Sequence, residues 1–149
     1  MLGPQRDPYR RRFIEAWQKA QSSAPLDPLE QRIAEVVGRH PEYHAMLADT
    51  DSAMEKDWLP EGGETNPFLH MALHLALLEQ LGADHPPGMR ALYDRALRIR
   101  GGDVHAVEHC MIDCLAESMW RMQREGREDD PHNYLACIRR QLGLPPTND

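Results

Sequence analysis

Two stretches of this chain hold the residues best suited to chemistry. Asn66 to Leu81, NPFLHMALHLALLEQL, is the most apolar segment and carries His70 and His74 one helical turn apart. Asp103 to Gln123 carries His105, Glu108 and His109 as an HxxEH cluster. Imidazole is the commonest transition-metal ligand, and residues four apart on a helix share a face, so each histidine pair projects as a unit. Eight histidines placed at random would give about 0.4 pairs at that spacing, and the chain holds three, a modest excess, although such pairs are also common in metal-free cores. The third pair, His40 and His44, spans Pro41 and is not expected to share one helix.

For the imidazoles to meet, two helices must bring them to one level. The face of His70 and His74 also holds Leu73, Leu77 and Leu81; that of His105 and His109 holds Ile112, Ala116 and Met119. Both stripes are expected to face the core. HPPG at 85–88 and Gly101–Gly102 make the connections short, so segments 67–81, 89–100 and 104–125 should alternate in direction. The two histidine helices then run parallel, with their pairs in the first two turns, at similar height if the helices are neighbours. The expected site is His70, His74, His105, Glu108 and His109.

A histidine-dominated set of that kind suits zinc first, because zinc accepts three histidines with a carboxylate or water, and then iron, nickel or copper. The carboxylate-bridged di-iron class requires ExxH on two helices, and the chain contains no ExxH. HxxEH is also the inverted zinc-peptidase signature, but those enzymes need a larger mixed α/β domain. Glu79 points away from His70 and His74, and Glu117 lies well round from His109. Asp113 is closer and is placed to hold a ring N–H. No nucleophile elbow, P-loop or dinucleotide fingerprint is present, so no reaction or substrate follows. The alternative is a metal-free interaction module, in which these residues form a buried hydrogen-bond network and the surface meets a protein partner or a second copy. Eight Met and three Trp leave room for such an apolar face, although each is more often plain core.

The remaining pattern is helical throughout. Asp7–Pro8 reads as a helix start, with Tyr9, Phe13, Trp17 and Ala20 at helical spacing. Asp27–Pro28 with Glu30 reads as a capping box, with Leu29, Ile33, Val36 and Val37 as the buried stripe. Short helical turns follow at 41–47 and 51–58, then the turn-rich LPEGGETN. Met89, Leu92, Tyr93, Ala96 and Leu97 mark a later helix, and Asp130–Pro131 starts the last, with Tyr134, Leu135, Ile138 and Leu142 inward. No segment alternates with the period of a strand. The expectation is an all-α, single-domain helical bundle over 1–149, of about five main helices with short connecting ones. Its ordered core runs from 8 to 142, with a tail at 143–149.

A net charge of −7 argues against a nucleic-acid partner, and the run Arg10–Arg11–Arg12 reads as a solvated face. Three cysteines without CxxC spacing fit a reducing compartment, with Cys110 and Cys114 as small buried thiols. No signal peptide and no membrane-length apolar run is evident, so a cytoplasmic protein is expected.

The segments ETNPFLHMALHLALLEQ, HAVEHCMIDCLAESMWRMQREG and PLDPLEQRIAEVVGRHPEYHAML together resemble a bacterial family, domain of unknown function family 1841. The likeness covers roughly residues 8 to 140. It implies a small bacterial cytoplasmic protein and brings no catalytic or binding residue with it.

Overall fold

The computed structural model describes residues 3–56 and 66–146, with side chains from Tyr9 onward within the first helix and Pro8 also placed. Among them the fold is all-α, with no strand. The long helices are α1 (Gly3–Gln21), α2 (Pro28–Gly38), α5 (Pro67–Ala83), α6 (Met89–Ile99), α7 (Val104–Glu125) and α8 (Pro131–Gln141). Between α2 and α5 lie a 3₁₀ turn (Pro41–Tyr43) and the short α3 (His44–Ala48) and α4 (Thr50–Glu55). Trp58 and most of the LPEGGETN turn fall outside the described residues, as do the last three residues of the tail. No described helix is long and apolar enough to cross a membrane.

The chain forms two compact units, Met1–Leu75 and Ala76–Asp149, so α5 contributes its first half to one and its end to the other. In the first unit α1 packs against α2 around Phe13, Ile14, Ala16, Ile33, Val36 and Val37, all buried. The capping box at Asp27 forms as expected: Glu30 N–H donates to Asp27 (2.7 Å) and Asp27 N–H donates to Glu30 (3.0 Å). The start expected at Asp7–Pro8 does not hold, because α1 already runs from Gly3 and contains Pro8. Pro4 occupies its first turn, where a missing N–H costs nothing. Asn66 caps α5, its side-chain oxygen accepting from Phe68 N–H (2.9 Å) and Leu69 N–H (3.3 Å), with Pro67 at the first helical position.

The arginine run is not uniformly solvated. Arg10 is 3% exposed, and its Nη1 donates to the carbonyls of Ala53 (2.9 Å), Met54 (3.3 Å) and Lys56 (2.8 Å) at the end of α4. Arg11 and Arg12 are exposed. Arg10 falls on the same helical stripe as Phe13, Ile14 and Trp17, three, four and seven residues on, which is why it alone turns inward.

In the second unit α7 packs against both α6 and α8. Gly88 (φ 98°) precedes α6 and Gly126 (φ 70°) ends α7; both need the left-handed backbone that side chains disfavour. Asp129, between α7 and α8, accepts from Arg121, Ser118 and Asn133. The Arg121 bond leads in holding its carboxyl far below the usual range. Cys114 is not a thiol: it is bonded to Cys137, across α7 and α8, with Cα atoms 5.7 Å apart. The partner sits on another helix, so local spacing gave no hint of it. Cys110 remains free and half-buried, and burial pushes its thiol above the ordinary value.

Closing a loop between residues 23 apart restricts the unfolded chain, so the bond should add about 3 kcal/mol to stability. Urea unfolding with and without dithiothreitol is expected to differ by about that amount, and the Cys137→Ser variant should lose the sensitivity.

Candidate metal centre

The first unit gathers three imidazoles, and the one at their centre was not among the expected ligands. His40 follows the end of α2 and precedes Pro41, which disfavours helical backbone in the residue before it. His40 accordingly leaves the helix at φ −124°, ψ 66°, and its ring is buried (1% exposed). It meets the two α5 histidines edge to face, with ring centroids 4.9 Å from His70 and 5.2 Å from His74; His70 and His74 are 6.4 Å apart. Tyr43 stacks on His40 at 5.2 Å and meets His70 edge-on at 6.3 Å.

The hydrogen bonds fix much of the proton arrangement. A carboxylate only accepts, so His40 Nδ1 carries a proton and donates to Glu42 Oε2 (2.9 Å). His40 Nε2 lies 2.9 Å from His74 Nδ1, a distance that requires one proton between them. With His40 neutral, His74 Nδ1 is the donor and His40 Nε2 the acceptor. His70 Nε2 is buried, and a ring nitrogen of His70 lies within 4.8 Å of one of His40. Burial would raise the Glu42 carboxyl, but the His40 hydrogen bond, a bond from its own backbone N–H and the nearby imidazoles of His40 and His70 together outweigh it and hold it below its ordinary value. Burial, followed by the Glu42 charge, raises the Tyr43 phenol.

Donor nitrogens of His40 and His70 lie within 4.8 Å of each other, and the ring spacing can be compared with that of a metal shell. With zinc–nitrogen bonds of about 2.0–2.1 Å in a tetrahedral shell, ring centroids stand about 5 Å apart. Two of the three pairs already meet that spacing, and the third needs to close by little more than an ångström. The Glu42–His40 bond is also the arrangement by which a carboxylate orients a metal-binding imidazole and raises its basicity.

The second unit holds the other expected residues. His105 and His109 stack at 4.0 Å, so the pair does share a face. That face is only partly buried: Ile112 is buried, His109 and Met119 are half-buried with His109 Nε2 itself buried, while His105 and Ala116 are exposed, and α7 turns Val107, Met111, Cys114 and Leu115 inward. Those four recur at helical spacing on their own and outweigh the weaker stripe assumed for the histidines. Glu108 belongs to the buried side (2% exposed) and accepts from Tyr93 Oη at 2.7 Å. Asp113 and Glu79 are exposed, and Glu117 makes surface ion pairs with Arg121 (3.7 Å) and Arg140 (4.0 Å). His44 is separate from His40, as expected. Its Nε2 donates to the Val37 carbonyl (2.8 Å) and its ring stacks on Trp17 at 4.5 Å.

One family matches: that described as domain of unknown function (DUF1841), over residues 5–140. No curated protein and no solved structure matches the chain.

Proposed function

The chain belongs to the DUF1841 family, which carries no assigned activity, and from that premise we propose that it binds a transition metal, zinc or iron, through a histidine centre built on His40, His70 and His74. The observation that carries this reading is the spacing of the three imidazoles, with Glu42 orienting His40. His105, Glu108 and His109, the other residues expected from the sequence to bind metal, are proposed as a donor set of the second unit taken by itself. That part rests on their spacing in the sequence and on the pairing of the two α7 rings. The proposed setting is the cytoplasm, a reducing compartment in which the Cys114–Cys137 bond would be open to reduction.

One observation favours a second reading. The chain Glu42–His40–His74 is already a closed set of hydrogen bonds, as a metal-free structural network would be. In that case the function lies on the surface, toward a protein partner or a second copy, with neither nucleic acid nor membrane involved.

Elemental analysis of untagged protein purified without chelator separates the two, run beside the His70→Ala/His109→Ala double variant. Near-stoichiometric metal in the wild type, absent from a folded double variant, is the expected result. Wild type that carries none and takes up neither added zinc nor iron would overturn the metal reading.

A further inference from the structure

The second unit contains a cavity of about 510 Å³ that includes none of the histidines proposed above to bind metal and is lined by the start of α6 and by α8. Its wall is largely apolar, formed by Pro86, Pro87, Leu92 and Leu135, with His132 and two guanidinium groups, Arg95 and Arg139, bordering it. The volume lies within the range of about 300–1,000 Å³ typical of small-molecule sites.

The charge at this cavity runs against that of the chain. The protein carries −7 overall, yet α6 and α8 hold five arginines (Arg90, Arg95, Arg98, Arg139 and Arg140) against one acid, Asp94. Some of these have structural work. Arg90 donates to the Leu81 and Gly82 carbonyls, and Arg140 lies 4.0 Å from Glu117. The two at the cavity differ. Arg139 is positioned by its Nε, which donates to the Pro145 carbonyl (2.7 Å), so its terminal nitrogens have no partner among the described residues. Arg95 makes no ion pair or hydrogen bond among the described residues. The neighbouring carboxylates are turned elsewhere: Asp84 accepts from Arg90 N–H and Asp130 from His132 N–H, each at 2.9 Å.

We propose that this cavity binds a small organic anion, its apolar body against the proline–leucine wall and its carboxylate or phosphate between Arg95 and Arg139. A guanidinium presents a planar fork of donors that matches either group, while the apolar wall takes the body of the ligand. The apolar wall selects against inorganic anions, and the arginines against neutral compounds.

The test uses the full chain and amide chemical-shift titrations with three probes that share a ring: phenylacetate, phenyl phosphate and neutral benzyl alcohol. Saturable shifts at residues 86–95 and 131–139 with one or both anions are expected, and which anion does so tells carboxylate from phosphate. Arg95→Gln should weaken that binding at least tenfold, and so should Arg139→Gln, while Arg98→Gln leaves it unchanged. The proposal is overturned if neither anion saturates, if benzyl alcohol binds equally well, or if Arg95→Gln, whose side chain supports nothing else in the fold, binds as tightly as wild type.

Discussion

Replacing His40 with alanine is expected to weaken zinc binding by at least a hundredfold, a larger effect than alanine at any other single histidine. His40 stands within about 5 Å of both α5 rings, whereas His70 and His74 are further from each other than from it. Removing it therefore dissolves the cluster rather than trimming one arm. Glu42→Gln tests the same geometry more gently: it keeps the shape but weakens the partner of His40 Nδ1, and a loss of about 10–100-fold is expected. For both nitrogens of the His40 Nε2–His74 Nδ1 bond to ligate, the shared proton moves to His74 Nε2 by a tautomer change, and because only neutral imidazole binds metal, affinity should fall as pH is lowered. Thermal unfolding checks this without any knowledge of activity. Zinc at a hundred times its wild-type dissociation constant should stabilise the wild type by about 2.7 kcal/mol and His40→Ala by no more than about 0.4 kcal/mol. If the histidines are only a structural network, His40→Ala instead costs about 1–3 kcal/mol with or without zinc, because it orphans buried partners.

The contrast between His40 and the α7 histidines shows what the sequence could and could not convey. Helical spacing correctly paired His70 with His74 and His105 with His109, because sharing a face is a local property of the backbone. Which way a face points is decided by competition with every other apolar residue on the helix. On α7 Val107, Met111, Cys114 and Leu115 win that competition, leaving His105 exposed. His40 had no helical partner to announce it. It reaches His74 from 34 residues away through a break forced by Pro41, and only the position just before that proline was visible. The helices themselves were legible because capping residues and turn glycines act locally: Asp27 with Glu30, Asn66 with Pro67, Asp103 and Gly126 all mark observed ends. The Cys114–Cys137 bond was not, since it joins positions related only by the packing of α7 on α8.

Arg10→Ala is expected to destabilise the first unit by about 3–5 kcal/mol, since a single buried cation there replaces several missing hydrogen bonds. The last carbonyls of any helix lack partners within it, and those of α4 cannot all turn to water beside a packed core. Arg10 Nη1 gathers two of them, Ala53 and Met54, with the Lys56 carbonyl just beyond, and its guanidinium lies 5.0 Å from the centre of the Phe68 ring, so the same group caps α4 and covers the start of α5. Alanine removes the donor and leaves a void against Phe68, which itself packs edge-on against Phe13 at 6.2 Å. Arg10→Met separates the two contributions, because it keeps most of the side-chain volume but none of the hydrogen bonds, and it should recover only part of the loss. The joint Arg11→Ala/Arg12→Ala change supplies the reference: both side chains are exposed, and an effect within about 0.5 kcal/mol is expected. Urea unfolding at neutral pH ranks the three variants. Equal stability for Arg10→Ala and the double variant would mean that the buried guanidinium adds nothing beyond its neighbours, and that α4 is held by its apolar contacts alone.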